Sequence, residues 1–175
     1  MASILSAGLI GMWNAIQTAY SKSIAGNSGG NAGTAFRIIC TPSVGGSQIR
    51  ITVRSGTSGG LSIDHVSVGT QSATYVTTAT PVEVTFGGGG HGTTAASGSN
   101  DSVSDWIPFK TTAGTPIVID CDVNSAFTNI GAILGTSGEA YFLASTAQYN
   151  IASPAGTWTH DTANTYLISK IEVRQ

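Results

Sequence analysis

Apolar positions along this chain alternate far more often than they recur at helical spacing. The clearest run is Ile49-Arg-Ile-Thr-Val-Arg54, with Ile49, Ile51 and Val53 on one side and Arg50, Thr52 and Arg54 on the other. Successive side chains of a strand point to opposite faces, so period two predicts a strand with one buried and one solvated face. Val82, Val84 and Phe86 alternate with Glu83 and Thr85 in the same way. Residues 36–41, 106–110, 116–123, 140–144 and 166–173 also read as strands, and 74–78 is a weaker candidate. In residues 61–68 the apolar parity switches from odd (Leu61, Ile63) to even (Val66, Val68). One inserted residue would do that, so a bulge is expected near Asp64-His65. Glycine-rich turns punctuate these runs at 42–47, 55–60, 87–90 and 98–100.

The first 25 residues read differently. Leu5, Leu9, Trp13, Ile16 and Tyr20 recur at spacings of four and three, which suits a helix. Gly8 and Gly11 weaken it, and a strand over 9–17 competes. An apolar stripe at a terminus signals a partner when it is exposed. Leu5, Leu9, Trp13 and Ile16 are therefore the assembly candidates, with a first strand packed on its own domain as the alternative. The expected organisation is an apolar N-terminal segment, 1–25, and one domain, 26–175. Eight to ten short strands with regular turns give an all-β fold: a single antiparallel β-sandwich, jelly-roll-like.

Composition sharpens this picture. Charged residues make up 9% of the chain and glycine accounts for 23 residues, against a usual charged share of about 25%. The surface is therefore hydroxyl, amide and backbone, as suits a protein living in a large assembly or outside a cell. Lys22, Arg37, Arg50, Arg54, Lys110, Lys170 and Arg174 are scattered. Nucleic-acid binding needs clustered basic side chains, so no nucleic-acid partner is expected. No stretch approaches the roughly 20 apolar residues of a membrane span, and the N-terminus lacks the positive region of a signal peptide. The expectation is neither membrane insertion nor signal-directed export. Cys40 and Cys121 sit on apolar faces, as two buried thiols or as a disulfide across the core.

The run Thr41-Pro-Ser-Val-Gly-Gly-Ser-Gln-Ile-Arg-Ile-Thr-Val-Arg54 resembles the "S-x-GG-x-x-hR-h-x-h-S" segment of a β-sandwich accessory domain. That domain stands N-terminal in certain secreted SGNH/GDSL-type hydrolases. Val82-Glu-Val-Thr-Phe-Gly-Gly88 is similar to its "V-T-F-x-G" strand. Ser104-Asp105, followed by Ala113-Gly114 and Ile117-Val-Ile119, is similar to a later pair. The likeness spans roughly residues 10 to 123. It implies a jelly-roll-like accessory domain able to contact carbohydrate. The hydrolase's G-D-S-L block and Asp-x-x-His motif have no counterpart here, so the resemblance implies a stand-alone copy. Such copies look like tailed-phage virion components: head decorations or fibre and tail modules.

Candidate chemistry is thin. Gly56-Thr-Ser-Gly-Gly60 and Gly135-Thr-Ser-Gly138 read as turns, not as the strand-to-helix elbow that presents a nucleophilic serine. His65 follows Asp64, but strand neighbours point apart. No catalytic residues and no cofactor are expected. Asp120, Asp122 and Asn124 alternate like the start of a calcium loop, which then lacks its glycine and closing glutamate. A solvated strand face is the expected reading and a weak cation site the alternative. The aromatics offer more, because flat amphipathic rings suit half-wet sugar sites. Asp105 and Trp106, and separately Tyr149, Trp158 and His160, are the glycan-binding candidates, against a role as plugs at the sandwich ends or subunit contacts. The expected function is a non-enzymatic virion protein, oligomeric and able to bind sugar; a stand-alone carbohydrate-binding module is the alternative. Expected partners are capsid or tail proteins, copies of itself and a surface polysaccharide.

Overall fold

The computed structural model describes residues 15–28, 33–124, 130–134, 139–144 and 148–175. Among these the fold is all-β, with every strand pair antiparallel and no helix. The strands are β1 (Gln17–Ser21), β2 (Gly26–Ser28), β3 (Ala35–Cys40), β4 (Gln48–Arg54), β5 (Leu61–Ala73), β6 (Val76–Thr77), β7 (Val82–Val84), β8 (Thr93–Ala95), β9 (Asp101–Val103), β10 (Ile117–Val123), β11 (Ile130–Leu134), β12 (Ala140–Leu143), β13 (Thr159–Asp161), β14 (Asn164–Tyr166) and β15 (Ile168–Arg174). One sheet runs β1-β15-β4-β9. A larger one runs β13-β12-β3-β10-β5-β6, with β7 and β8 also paired to β5. A short third sheet runs β14-β11-β2. This is the expected β-sandwich.

The inner faces form one continuous core. Ile49, Ile51 and Val53 of β4, with Ile171 and Val173 of β15, meet Phe36, Ile38 and Cys40 of β3, Ile117 and Ile119 of β10, and Leu61, Ile63, Val66 and Val68 of β5. Each side chain of this size contributes roughly 1.5–3 kcal/mol when fully buried. The bulge predicted near Asp64-His65 is present. Asp122 pairs with His65 and Val123 with Ile63, leaving Asp64 without a partner. The extra residue lets Ile63 and Val66 both face the core, which strict alternation forbids.

Of the two readings left open for the N-terminal segment, residues 17–21 take the strand: β1 pairs with β15, and Ala19 and Tyr20 join the core. Leu5, Leu9 and Trp13 lie outside the described residues, as does the turn 135–138, while Ile16 is 51% exposed. Three expectations need correction. Residues 106–110 are not a strand; only Ile107 bridges to Ile49. Their parity still holds, with Ile107 buried and Pro108 and Lys110 exposed. Thr52, expected outside, is buried. Finally, β10 is buried on both faces, because residues 148–158 fold over the outer side of the large sheet. Cys40 and Cys121 are free and fully buried, so the thiol reading holds and the disulfide does not.

Candidate functional site

The register of the large sheet lines up a row of polar and aromatic residues on its outer face. His160 pairs with Tyr141, Tyr141 with Arg37, Arg37 with Asp120, Asp120 with Ser67, and Ser67 with Glu83. All six therefore project to one side across β13, β12, β3, β10, β5 and β7.

Arg37 organises the middle of this row. Its Nε donates to Asp120 Oδ2 at 2.6 Å, and both side chains are sealed from solvent. Its terminal nitrogens donate to the carbonyls of Tyr75 (2.9 Å), Ala152 (3.4 Å), Gln148 (3.2 Å) and Ile151. All five guanidinium protons thus find acceptors, as a buried arginine requires. Four of those acceptors are backbone, so Arg37 ties residues 148–152 and the β5–β6 turn onto the sheet. Asp122 accepts the backbone N–H of Gln148 at 3.1 Å, and Ser67 Oγ that of Asn150 at 3.3 Å. Burial pushes the Asp120 carboxyl up to about 7 against the pull of Arg37, and the charge of Asp122 adds to the rise.

This corrects the reading of Asp120, Asp122 and Asn124. Asp120 and Asp122 are buried and do not form a solvated face. Asp120 engages Arg37, Asp122 accepts main-chain donors, and Asn124 Nδ2 donates to Asp64 at 2.7 Å.

An aromatic cluster caps the β12–β13 end of the row. Trp158 stacks on Tyr75 with centroids 5.3 Å apart, Tyr75 meets Tyr141 at 5.2 Å, and Tyr141 stacks on His160 at 4.3 Å and 10°. The Arg37 guanidinium lies 5.6 Å from the Trp158 ring centroid. Trp158 itself is only 8% exposed; the half-buried Tyr75 and Tyr141 and the exposed His160 present the cluster to solvent.

The remaining glycan candidates lie elsewhere. Trp106 sits on the outer side of the small sheet between two guanidiniums, Arg50 at 4.8 Å and Arg174 at 4.4 Å. Asp105 is a loop anchor: its carboxylate accepts from Thr85 Oγ1 (2.8 Å) and from the N–H groups of Gly88 and Gly89 (both 3.0 Å). The Gly88 N–H and the Thr85 hydroxyl hold that carboxyl below its usual range. Tyr149 stacks flat on His65, 3.8 Å between centroids at 3°. The five residues therefore divide among separate places, and only Trp158 and His160 share one.

One grouping was passed over in the sequence. His65 of β5, Glu83 of β7 and His91 bring ligand atoms within 4.8 Å of one another. His65 and Glu83 are diagonal neighbours across β5 and β7, and the turn at Gly87, Gly88 and Gly89 brings His91 back. The sequence signal was an outward Glu followed by four glycines and a histidine. Tyr75 and Tyr141 were missed as well, because their contact depends on distant segments.

Among the described residues no helix is long and apolar enough to cross a membrane. Compared with known proteins, the chain matches no family model and no curated sequence.

Proposed function

We propose that this chain is a non-enzymatic structural module of a tailed-phage particle, a head decoration or a fibre or tail component, whose outer aromatic cluster contacts carbohydrate. The observation that carries the binding part is the platform of Tyr75, Tyr141 and His160 backed by Trp158. Stacked rings with polar edges suit the alternating apolar and hydroxyl faces of a sugar. The motifs that resemble the hydrolase accessory domain and the 9% charge content support the assembly part. Groups that elsewhere do chemistry have structural tasks here: Asp120 holds Arg37, Asp105 holds a loop, and both thiols lie in the core.

The second reading is a stand-alone carbohydrate-binding module. The same platform favours it, and the solution mass separates the two. Light scattering at several concentrations gives a trimer or larger species for a particle component built on symmetric contacts. A monomer at every concentration, with polysaccharide retained, favours the lone module. Failure of His160→Ala and Tyr141→Ala to reduce capture on a polysaccharide array would sink the sugar-binding claim in both readings.

A further inference from the structure

The geometry points to a divalent transition-metal site, of the zinc class, formed by His65 Nδ1, Glu83 Oε1 and His91 Nδ1. Three separate chain segments deliver these atoms to one place. Glu83 Oε1 lies 2.6 Å from His91 Nδ1 and 3.4 Å from His65 Nδ1. Each of the three residues offers a ligand atom within 4.8 Å of one from each of the other two. Ligand atoms around a tetrahedral zinc ion, bound at about 2.0–2.1 Å, stand roughly 3.4 Å apart. Small side-chain rotations close the present arrangement onto an ion.

Each ligand is oriented by something other than its neighbours in the trio. Tyr149 stacks face to face on His65 and fixes its ring plane. Glu83 is held in register between β5 and its own strand, opposite Ser67. His91 follows a turn that only glycine forms readily: Gly87, Gly88 and Gly89 have φ of 61°, 87° and 120°. The turn is closed by reciprocal bonds between Phe86 and Gly90, at 2.7 and 2.8 Å. It is pinned by Asp105 through the N–H groups of Gly88 and Gly89. The anchor that Asp105 supplies therefore also places His91.

Two imidazoles and one carboxylate suit zinc, nickel or copper ions better than magnesium or calcium, which prefer all-oxygen sites. Side-chain exposures of 31% for His65, 33% for Glu83 and 62% for His91 leave an approach for the ion. They also leave a coordination position for water or for a donor from another molecule. Bound metal staples the glycine turn to the outer face of the large sheet.

The test is isothermal titration of the full chain with ZnCl2 after EDTA treatment, with MgCl2 and CaCl2 in parallel. One zinc per chain is expected, with affinity falling at least tenfold in His91→Ala and in Glu83→Gln. Magnesium and calcium should give no saturable binding. His91 is exposed, so His91→Ala should melt at the parent's temperature in EDTA, which separates lost ligation from lost folding. Cobalt substitution adds a local readout: visible d–d absorption should appear in the parent and vanish in His65→Gln. Absence of stoichiometric zinc uptake, or uptake unchanged in both His91→Ala and Glu83→Gln, overturns the proposal.

Discussion

Arg37 and Asp120 face each other across β3 and β10 with 2.6 Å between Nε and Oδ2, and neither side chain reaches solvent. A buried pair of this kind is weak evidence for net stability, yet losing one partner is costly. Arg37 also donates to four backbone carbonyls outside the sheet. Arg37→Ala should therefore lower unfolding free energy by roughly 3–5 kcal/mol, read as a fall in the urea midpoint. Arg37→Lys should not restore it, because an ammonium cannot reproduce the planar fork of five donors. Proteolytic cleavage within 148–158 should rise in both variants. Resistance equal to the parent's would show that other contacts hold this segment.

The two tryptophans make unequal probes. Trp158 is buried against Tyr75 and Arg37, so Trp158→Ala should cost about 3–5 kcal/mol like other large-to-small core changes. Any lost sugar capture in that variant reports unfolding as well as binding. His160→Ala removes an exposed ring and should leave the melting temperature within a degree or two while reducing capture. Trp106→Ala should leave capture unchanged, since Trp106 lies on the other sheet beside Arg50 and Arg174. Differential scanning fluorimetry and polysaccharide pull-down on the same preparations decide each case.

Stability should pass through a maximum in mild acid. The Arg54 hydrogen bonds hold the Asp101 carboxyl low. At Glu172 and Asp161 burial pulls upward but is outweighed, at Glu172 by Arg50 and Lys170, at Asp161 by Tyr166, Asn164 and two backbone N–H groups. A carboxyl lowered on folding stabilises above its unfolded value, about 4, and that contribution is lost as pH falls below it. Asp120 has the opposite sign. Raised to about 7, it contributes fully below its unfolded value and loses that contribution as pH rises toward 7. Urea midpoints from pH 3 to 8 should rise, peak near pH 4 to 5 and then decline, flattening above about 7. Asp120→Asn should remove the decline on the neutral side and leave the acid loss.

Cys40 and Cys121 should resist thiol reagents in the folded protein. Burial pushes both thiols well above their ordinary range, with Glu139 adding at Cys40 and Asp120 adding at Cys121. Ellman's reagent should report no fast-reacting thiol in native buffer and two per chain in denaturant. Fast reaction of either in the native state would mean that the core opens locally.

Much of the fold was legible because its information is local. The alternation of Ile49, Ile51 and Val53 gave β4, and the parity switch between Ile63 and Val66 gave the bulge. Strands β2, β9, β13 and β14 were not legible: three residues each, rich in Gly, Asn, Ser and Thr, they carry no apolar period. β10 misled for another reason. Asp120 and Asp122 look like a wet face, and only Arg37, 83 residues away, and the covering segment 148–152 make that face dry. The candidate site divides along the same line. Trp158 and His160 were visible as aromatics near each other, whereas Tyr75 and Tyr141 reach them through sheet register. The trio of His65, Glu83 and His91 needed both a diagonal strand pair and a glycine turn to become a place.

The single unpaired residue at Asp64 divides β5 into two reading phases. Upstream of it odd positions face the core, and downstream even positions do. Any graft, shuffle or repair of this strand must therefore carry the bulge whole or drop its extra residue whole, because only that residue separates the two phases. Deleting Asp64 itself would close the bulge and merge the two phases, with Ile63, Val66 and Val68 still facing the core and His65 outside, whereas one residue added elsewhere in the strand would turn every side chain beyond it to the wrong face.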